Sequence, residues 1–420
     1  MVVPAEGPAA LARGPVSYPP AGDPGQVVRL ERSLLDYLTV DSSRPQRSTE
    51  RSCSFEGGRV DGADGTRFVF TGPSPSAWSL RIPEPARQAE PEPLGRVLGA
   101  LVRGLPGRAR LQVLVKSTHR LVLAEGCPGT VVESRAWALL GNVVTPSGHV
   151  VPIGRSGRGS GLPELEEELA SGELTRMLER IDGASPTPAG ATPAVLAPPA
   201  AGVLVHEALG HFAEAAPDGR VDLSHRLGVR IATEAFHLAD DATADGGAAH
   251  YGVDDDGVPV AGPTPVVREG RMVQLLHSRA SARAMEVPPT ANGRAASVWD
   301  PPIPRMSNLL CDPGEASEEE LLDQMGNGVY VHSLAYGYGF GFRLEAQVRL
   351  AEDVRGGRRT GRFFTGGVLD EDRGVLTRAA ELGDVAVYNR NAMCGKEGQL
   401  LYDVGTRSPA IRMTTLTLSA

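Results

Sequence analysis

The residues with the clearest chemical character lie in one run, Val203 to Glu214 (VLVHEALGHFAE). Two histidines, His206 and His211, with Glu207 beside the first, are the parts of a zinc hydrolase. Imidazole nitrogens hold the metal, and the carboxylate takes a proton from water that the metal acidifies. The common form of this motif spaces its histidines four apart, on one helix face. Here they are five apart. At roughly 100° per residue the second side chain is turned well round from the first. A single metal can take both only where the helix is locally unwound, for instance by a π-bulge, and Gly210 is the residue expected to permit that distortion. The plainer alternative is a buried helix whose histidines bond to neighbours and bind nothing. The metal reading needs a further ligand from elsewhere in the chain.

A second stretch with chemical character is Asn391 to Gln399 (NAMCGKEGQ). Cys394 stands beside a glycine, where the backbone can turn sharply and bring a thiolate close to another element. Two histidines, one cysteine and an open fourth position form a legitimate catalytic zinc set. A buried cysteine packing as a small apolar side chain is the alternative. The four cysteines, Cys53, Cys127, Cys311 and Cys394, are far apart and form no CxxC pair. They do not make a disulfide framework, and a reducing cytoplasm is the expected compartment.

The elements that must position these groups are bounded first by size. A chain of 420 residues exceeds one comfortable core and predicts two domains. Hydrophobic content is 41%, and no run of 18 or more apolar residues is present, so no membrane-spanning helix is expected. A net charge of -9 and a pI near 5.6 argue against a nucleic-acid footprint, which needs a concentrated basic surface. Residues 1–26, rich in Pro, Ala and Gly, read as a disordered leader.

Residues 27–182 read as an α+β domain: an antiparallel sheet with helices on one face. Val27 to Leu38 has apolar residues at helical spacing and predicts an opening helix. Short strands follow between Ser52 and Ile82, including Ala77 to Leu80. A second amphipathic helix is expected over Leu94 to Leu105. Leu111, Val113 and Val115 share one side of a strand, and further strands run to Ile153. Leu162 to Ile181 predicts one helix. Residues 183–193 (GASPTPAGATP) read as a linker. Residues 194–420 then form a mainly β domain carrying the metal helix, which Pro198 and Pro199 should open. Tyr251 to Pro259, with three consecutive aspartates, lacks the alternate ligands of a calcium loop and reads as a solvated hairpin turn. Ser317 to Met325 predicts a short helix with a capping box. Strands are expected at Val329–Ser333, Arg343–Leu350, Gly361–Thr365 and Val385–Asn389.

Several stretches resemble the TldD/PmbA family, specifically its TldD branch. They are, in order, Ala200 to Glu214, Tyr251 to Pro259, His277-Ser278-Arg279, Thr290 to Ala295, Pro301 to Asn308, and Cys394 to Gln399. The resemblance covers the second half of the chain; the first half is similar in organisation more than in residues. It implies a cytoplasmic zinc metallopeptidase in which His206, His211 and Cys394 bind zinc and Glu207 is the general base. Glu214 matches an acidic position of the family and is expected to support a histidine rather than bind metal. The family implies a heterodimer with a metal-free TldE/PmbA-like homologue, a homodimer being the other possibility. It also implies unfolded or leader peptides as substrates, including those of peptide natural-product maturation. Alternative readings are a zinc hydrolase acting on an amide or peptide-like small-molecule conjugate, and a non-catalytic scaffold subunit. The family's older name, gyrase modulator, finds no support in an acidic chain. Ala291 stands where the family commonly has glycine, and Ala215-Ala216-Pro217 depart from its pattern too. Tyr336 to Phe342 (YGYGFGF), including Tyr338, is a candidate substrate-facing strand whose glycines let a peptide backbone approach; the alternative is a bulged structural segment. Arg294 and Arg305 are candidates for a substrate carboxylate or for structural ion pairs.

Overall fold

The computed structural model describes residues 27–43, 48–62, 65–70, 91–124, 127–217, 224–340, 343–389 and 393–419. The expected leader, 1–26, and the segment 77–80 lie outside them. Six strands, Val27–Asp41, Ser48–Gly62, Gly65–Phe70, Arg108–Ala124, Cys127–Val144 and Val150–Arg158, form the first sheet. Every neighbouring pair in it is antiparallel. Val27 to Leu38 is therefore strand, not the helix its spacing suggested. Both of its edges are paired along nearly their whole length, to Ser48–Gly62 and to Arg108–Ala124. Non-local pairing of that extent overrides a local pattern that fits either period. Leu38 and Val40 reach the apolar layer. Arg29, Glu31 and Ser33, of the opposite parity, are buried on the other face.

The helix Pro91–Gly104 lies on the apolar face, burying Leu94, Leu98 and Leu101 against Leu111, Val113, Val115 and Trp137. The single helix expected over Leu162 to Ile181 is two, Leu162–Ser171 and Glu173–Asp182. They break at Gly172, whose φ of 61° is left-handed. Leu165, Leu174, Leu178 and Ile181 complete the same core.

The second sheet begins inside the segment expected to be a linker. Ser185–Pro186 pairs with Arg358–Thr365, and Gly190–Leu196 pairs with Gly405–Ser419. Pro193 is accommodated where the register between those last two strands shifts. Gly190–Leu196 also meets Gly328–Phe340, which pairs with Arg343–Arg355. Val368–Asp372 pairs with both Arg343–Arg355 and Gly405–Ser419, so these five strands close on themselves. Thr264–Arg268, Leu238–Asp240 and Asn308–Cys311 extend the sheet beyond Gly405–Ser419. The capping-box helix is present as Glu318–Met325, with Ser317 at its N-cap. The fold is α+β: an antiparallel sheet with helices, then a strand-rich second half.

The aspartate triplet is a hairpin, with Val253 bridged to Pro259, but it is not solvated. Asp254 is 2% exposed and accepts hydrogen bonds from the N–H groups of Asp256, Val258 and Gly293. Asp256 accepts from the Arg279 N–H. Asp255 pairs with Arg120 of the first sheet, which also binds Glu31 at 2.7 Å. Buried charges are tolerable when paired in this way. Three acids in a row could not reveal donors lying at positions 120, 279 and 293.

Candidate metal centre

The helix that leads to His206 opens at Pro198, where the first N–H groups need no intrahelical partner. Residues Ala200 to Val205 are all buried, so this segment is held by packing on every side rather than by an amphipathic stripe. It packs against Gly328–Phe340, Ala379–Tyr388 and Gly405–Ser419. From His206 to Gly210 the helix widens into a π-turn, and the His211 N–H bonds the His206 carbonyl, five residues back. The extra residue returns His211 to the side of His206. Their rings stand perpendicular with centroids 5.0 Å apart. Gly210 takes ordinary right-handed dihedrals, φ -59° and ψ -59°, so backbone freedom is not its contribution. A Cβ there would lie 2.1 Å from Met306 Sδ and 2.7 Å from Leu309 Cδ1. The glycine lets the π-turn seat closely on the neighbouring chain.

Cys394 arrives on a hairpin formed by Cys394–Lys396 and Gln399–Leu401. Its two turn residues, Glu397 and Gly398, have φ of 50° and 77°, the left-handed pair such a tight turn demands. Arg305 Nη2 donates to the Cys394 carbonyl at 2.6 Å and fixes the hairpin's start. Cys394 Sγ lies 3.4 Å from His211 Nε2, and the ligand atoms of His206, His211 and Cys394 all fall within 4.8 Å of one another.

Glu214 carries a third layer of organisation. Its Oε2 is 2.8 Å from His211 Nδ1, which leaves Nε2 aimed at the sulfur. Lys396 Nζ binds Oε2 at 2.9 Å and the Met306 N–H binds Oε1 at 3.1 Å. Burial opposes the Glu214 charge, yet Lys396 and His211 hold its carboxyl well below the usual range. Burial likewise opposes the Cys394 thiolate, and His206 and His211 nevertheless draw its pKa well below that of a free thiol. The pocket is electrostatically arranged for a thiolate beside two nitrogen ligands.

Glu207 is 8% exposed, with Oε2 4.0 Å from His211 Nε2. Its backbone carbonyl accepts from Arg373 Nη1 at 3.0 Å. Strand Gly328–Phe340 runs directly over it: a Cβ on Gly337 would sit 2.5 Å from Glu207 Cγ. Gly337 thus makes room for the carboxylate, and Gly339 makes room for the Arg373 guanidinium. Between strand and helix opens a cavity of about 630 Å³, lined by His206, Glu207, His211, Cys394, Tyr338 and Arg373 among others.

Tyr338 is 65% exposed at that cavity. The other two residues considered for substrate contact are placed elsewhere. Arg305 is fully buried beneath the cysteine hairpin, with Glu214 3.9 Å away. Arg294 is buried with Asp403 at 2.8 Å, the Met306 carbonyl at 2.7 Å and the Tyr251 ring beneath it. Both arginines are committed to protein groups. Arg373 was not singled out from sequence, because nothing in its local pattern marks it. Lys396 was visible within a motif, but its bond to Glu214 needed the hairpin. Ala291 takes a left-handed φ of 59°, which accounts physically for glycine being the usual residue there.

Residues 189–363 match the model of the PmbA/TldA metallopeptidase C-terminal domain. The chain is 30% identical over 335 residues to a metalloprotease of Synechocystis, covering 74% of this chain and 69% of that one. A metalloprotease of Methanothermobacter thermautotrophicus is 36% identical over 239 residues, 55% of this chain and 52% of its own length. A shorter match, 30% over 161 residues, 38% of this chain and 35% of that one, is to a zinc metalloprotease TldD homolog of Saccharolobus solfataricus. In structure, TldE from Thermococcus kodakarensis superposes with a TM-score of 0.68 at 15% identity, over 94% of this chain and 96% of that one. The chain belongs to the PmbA/TldD metallopeptidase family.

Proposed function

We propose that this protein is a zinc-dependent peptidase of TldD type, in which His206, His211 and Cys394 hold the metal and Glu207 is the general base. One observation carries the reading: three ligand atoms from positions 183 residues apart converge beside a carboxylate in a cavity. The donor set fits zinc. Zn–S and Zn–N bonds of about 2.3 and 2.05 Å at a tetrahedral angle put sulfur and nitrogen roughly 3.5 Å apart, against 3.4 Å between Cys394 Sγ and His211 Nε2. Imidazole with thiolate favours zinc over hard cations, and three protein ligands leave the position that catalytic sites keep open.

Bound zinc would supply Lewis acidity toward a carbonyl and toward water. The chain's own residues do the rest. Glu207 accepts the proton of the attacking water and returns it to the departing amine. Glu214 fixes the His211 ring through Nδ1. Arg373 holds the backbone of Glu207 in place. A peptide as substrate is supported by the strand Gly328–Phe340. Gly190–Leu196 covers its inner edge only at Val329 to Val331, so among the described residues the edge beside the cavity has no strand partner. An extended peptide can add there through main-chain hydrogen bonds. Unfolded or leader peptides present such backbone.

The proposed partner is a TldE/PmbA-like homologous subunit, or a second copy of this chain. Strand Ala379–Tyr388 supports an assembly: among the described residues it pairs with Gly405–Ser419 and is otherwise bridged only at Gly383, to Ala316, and it exposes Val385 and Val387. No helix among the described residues is long and apolar enough to cross a membrane. The cytoplasm is the proposed compartment.

The test is elemental analysis of wild type beside Cys394→Ala, with turnover of an unfolded peptide library by wild type and Glu207→Gln. The expected result is about one zinc per chain, lost in Cys394→Ala, and metal retained without cleavage in Glu207→Gln. Full activity in Glu207→Gln would sink the mechanism, and zinc retained by Cys394→Ala would remove the cysteine from the site.

A further inference from the structure

A second cavity, of about 220 Å³, adjoins the metal-site cavity and shares Ala335 with it. It lies between Val150–Pro152 of the first sheet and Gln347–Arg349 and Thr365–Gly367 of the second. One fixed charge lines it, Arg349, which is 4% exposed. Among the described residues its side chain meets one acceptor, the Ala335 carbonyl, at 3.3 Å from Nη2, and no carboxylate. Its Nε is buried without a partner. Arg120, Arg294 and Arg305, also buried, each sit beside a carboxylate. Glu168 lies 3.9 Å from Arg155, and Arg349 itself has this second cation, Arg155, as its charged neighbour. Burial, and then that neighbour, push its pKa down to about 9. A guanidinium does not give up its proton in a protein, so what this site lacks is an anion. Gln347 on the same wall has a buried Oε1 without a partner, and rotation of its amide turns two donors into the cavity.

We propose that Arg349 and this cavity receive a carboxylate, the anionic end of the peptide or peptide-like substrate whose backbone lies in the adjoining metal-site cavity. The identity of the ligand rests on the peptidase reading; the demand for an anion does not. A chain paired along Tyr336 to Gly339 that continues past Ala335 reaches the guanidinium. There a carboxylate accepts two parallel hydrogen bonds, which an amide or ester end cannot do. Such a site favours short substrates whose terminus falls a fixed distance from the metal, rather than internal cleavage at any position. Free inorganic anions share the chemistry, and the experiment separates them.

In the Glu207→Gln background, where no peptide is cut, N-dansyl-penta-alanine is titrated as the free acid and as its C-terminal amide by fluorescence anisotropy. The acid should bind roughly tenfold or more tighter than the amide, and the added Arg349→Met should erase that difference. Equal affinities, including failure of both peptides to bind, overturn the proposal, as does a preference that survives Arg349→Met. Stabilisation by sodium phosphate that depends on Arg349, without preference for the acid, assigns the site to a free anion and also overturns it. Thermal melting of Arg349→Met alone is the second arm. Removing an uncompensated buried charge should leave the midpoint equal or higher. A fall of several degrees would make Arg349 a structural tie to Ala335 and refute a binding role. Failure of the peptidase reading shows separately, as missing zinc or missing turnover in wild type, which neither arm measures.

Discussion

Gly337→Ala offers a way to move Glu207, the proposed general base, without touching the proposed metal ligands. The new Cβ would stand 2.5 Å from Glu207 Cγ, 3.1 Å from Cδ and 3.2 Å from Oε1. Ordinary carbon contacts begin near 3.5 Å, so strand or carboxylate must shift by about 1 Å. The strand is fixed by its pairing to Arg343–Arg355, and the helix backbone by Arg373 on the Glu207 carbonyl; the side chain is what can yield. A displacement of about 1 Å at a reacting group can cost roughly 100-fold, or about 2.7 kcal/mol in the barrier. Overpacking would take about 1–3 kcal/mol from stability, which leaves a folded protein to assay. The measurement is kcat/KM on a cleaved peptide together with zinc content. Zinc should remain near one per chain while kcat/KM falls about 100-fold. Gly339→Ala probes the other support, because its Cβ would meet Arg373 Nη2 at 2.6 Å and displace the guanidinium from the Glu207 carbonyl; kcat/KM should fall there too, with zinc retained. Wild-type turnover in Gly337→Ala would refute the claim that Glu207 is positioned by this strand. Loss of zinc would instead make the glycine a support of the metal ligands.

Two further outcomes follow from the same geometry. Glu214→Gln keeps a side chain of the same size but loses the carboxylate held between His211, Lys396 and Arg305; zinc affinity, measured by chelator competition, should drop roughly 10–100-fold, and unchanged affinity would deny Glu214 its supporting role. The second concerns acid. Burial opposes the charges of Glu31 and Asp255, but Arg120 and its neighbours hold both carboxyls below their ordinary pKa. A depressed folded pKa gives stability that is fully present above the unfolded value of about 4 and is lost as pH falls through the folded one. Arg120→Met should cost about 3–5 kcal/mol at pH 7 by stranding the buried Glu31 and the part-buried Asp255, and urea midpoints should show that deficit narrowing as pH falls through the raised pKa of the stranded carboxyls and on below about 4. A deficit constant with pH would mean the arginine acts by packing alone.

The types of residue at the site were legible in the chain itself. The five-residue spacing of His206 and His211 forces a choice between a locally widened helix and no shared metal, and the helix is widened. The capping box at Ser317, the strand-rich character of the second half, and the apolar side of Leu111, Val113 and Val115 were equally local, being set by periodicity and by turn and cap chemistry. What tertiary structure decided is everything that depends on a partner far along the chain. Val27 to Leu38 became strand because two long neighbours satisfy its backbone on both edges. The aspartates of Tyr251 to Pro259 are drawn inward, Asp254 fully and Asp255 and Asp256 in part, because Arg120, Arg279 and Gly293 come to meet them. Gly210 and Gly337 are glycines because Met306 and Glu207 arrive at their Cβ positions, which no local pattern encodes. The meeting of Cys394 with His211 depends on a hairpin held by Arg305. Short-range chemistry names the candidate groups, whereas their distances and charges follow only when strands remote in sequence pair and exclude water.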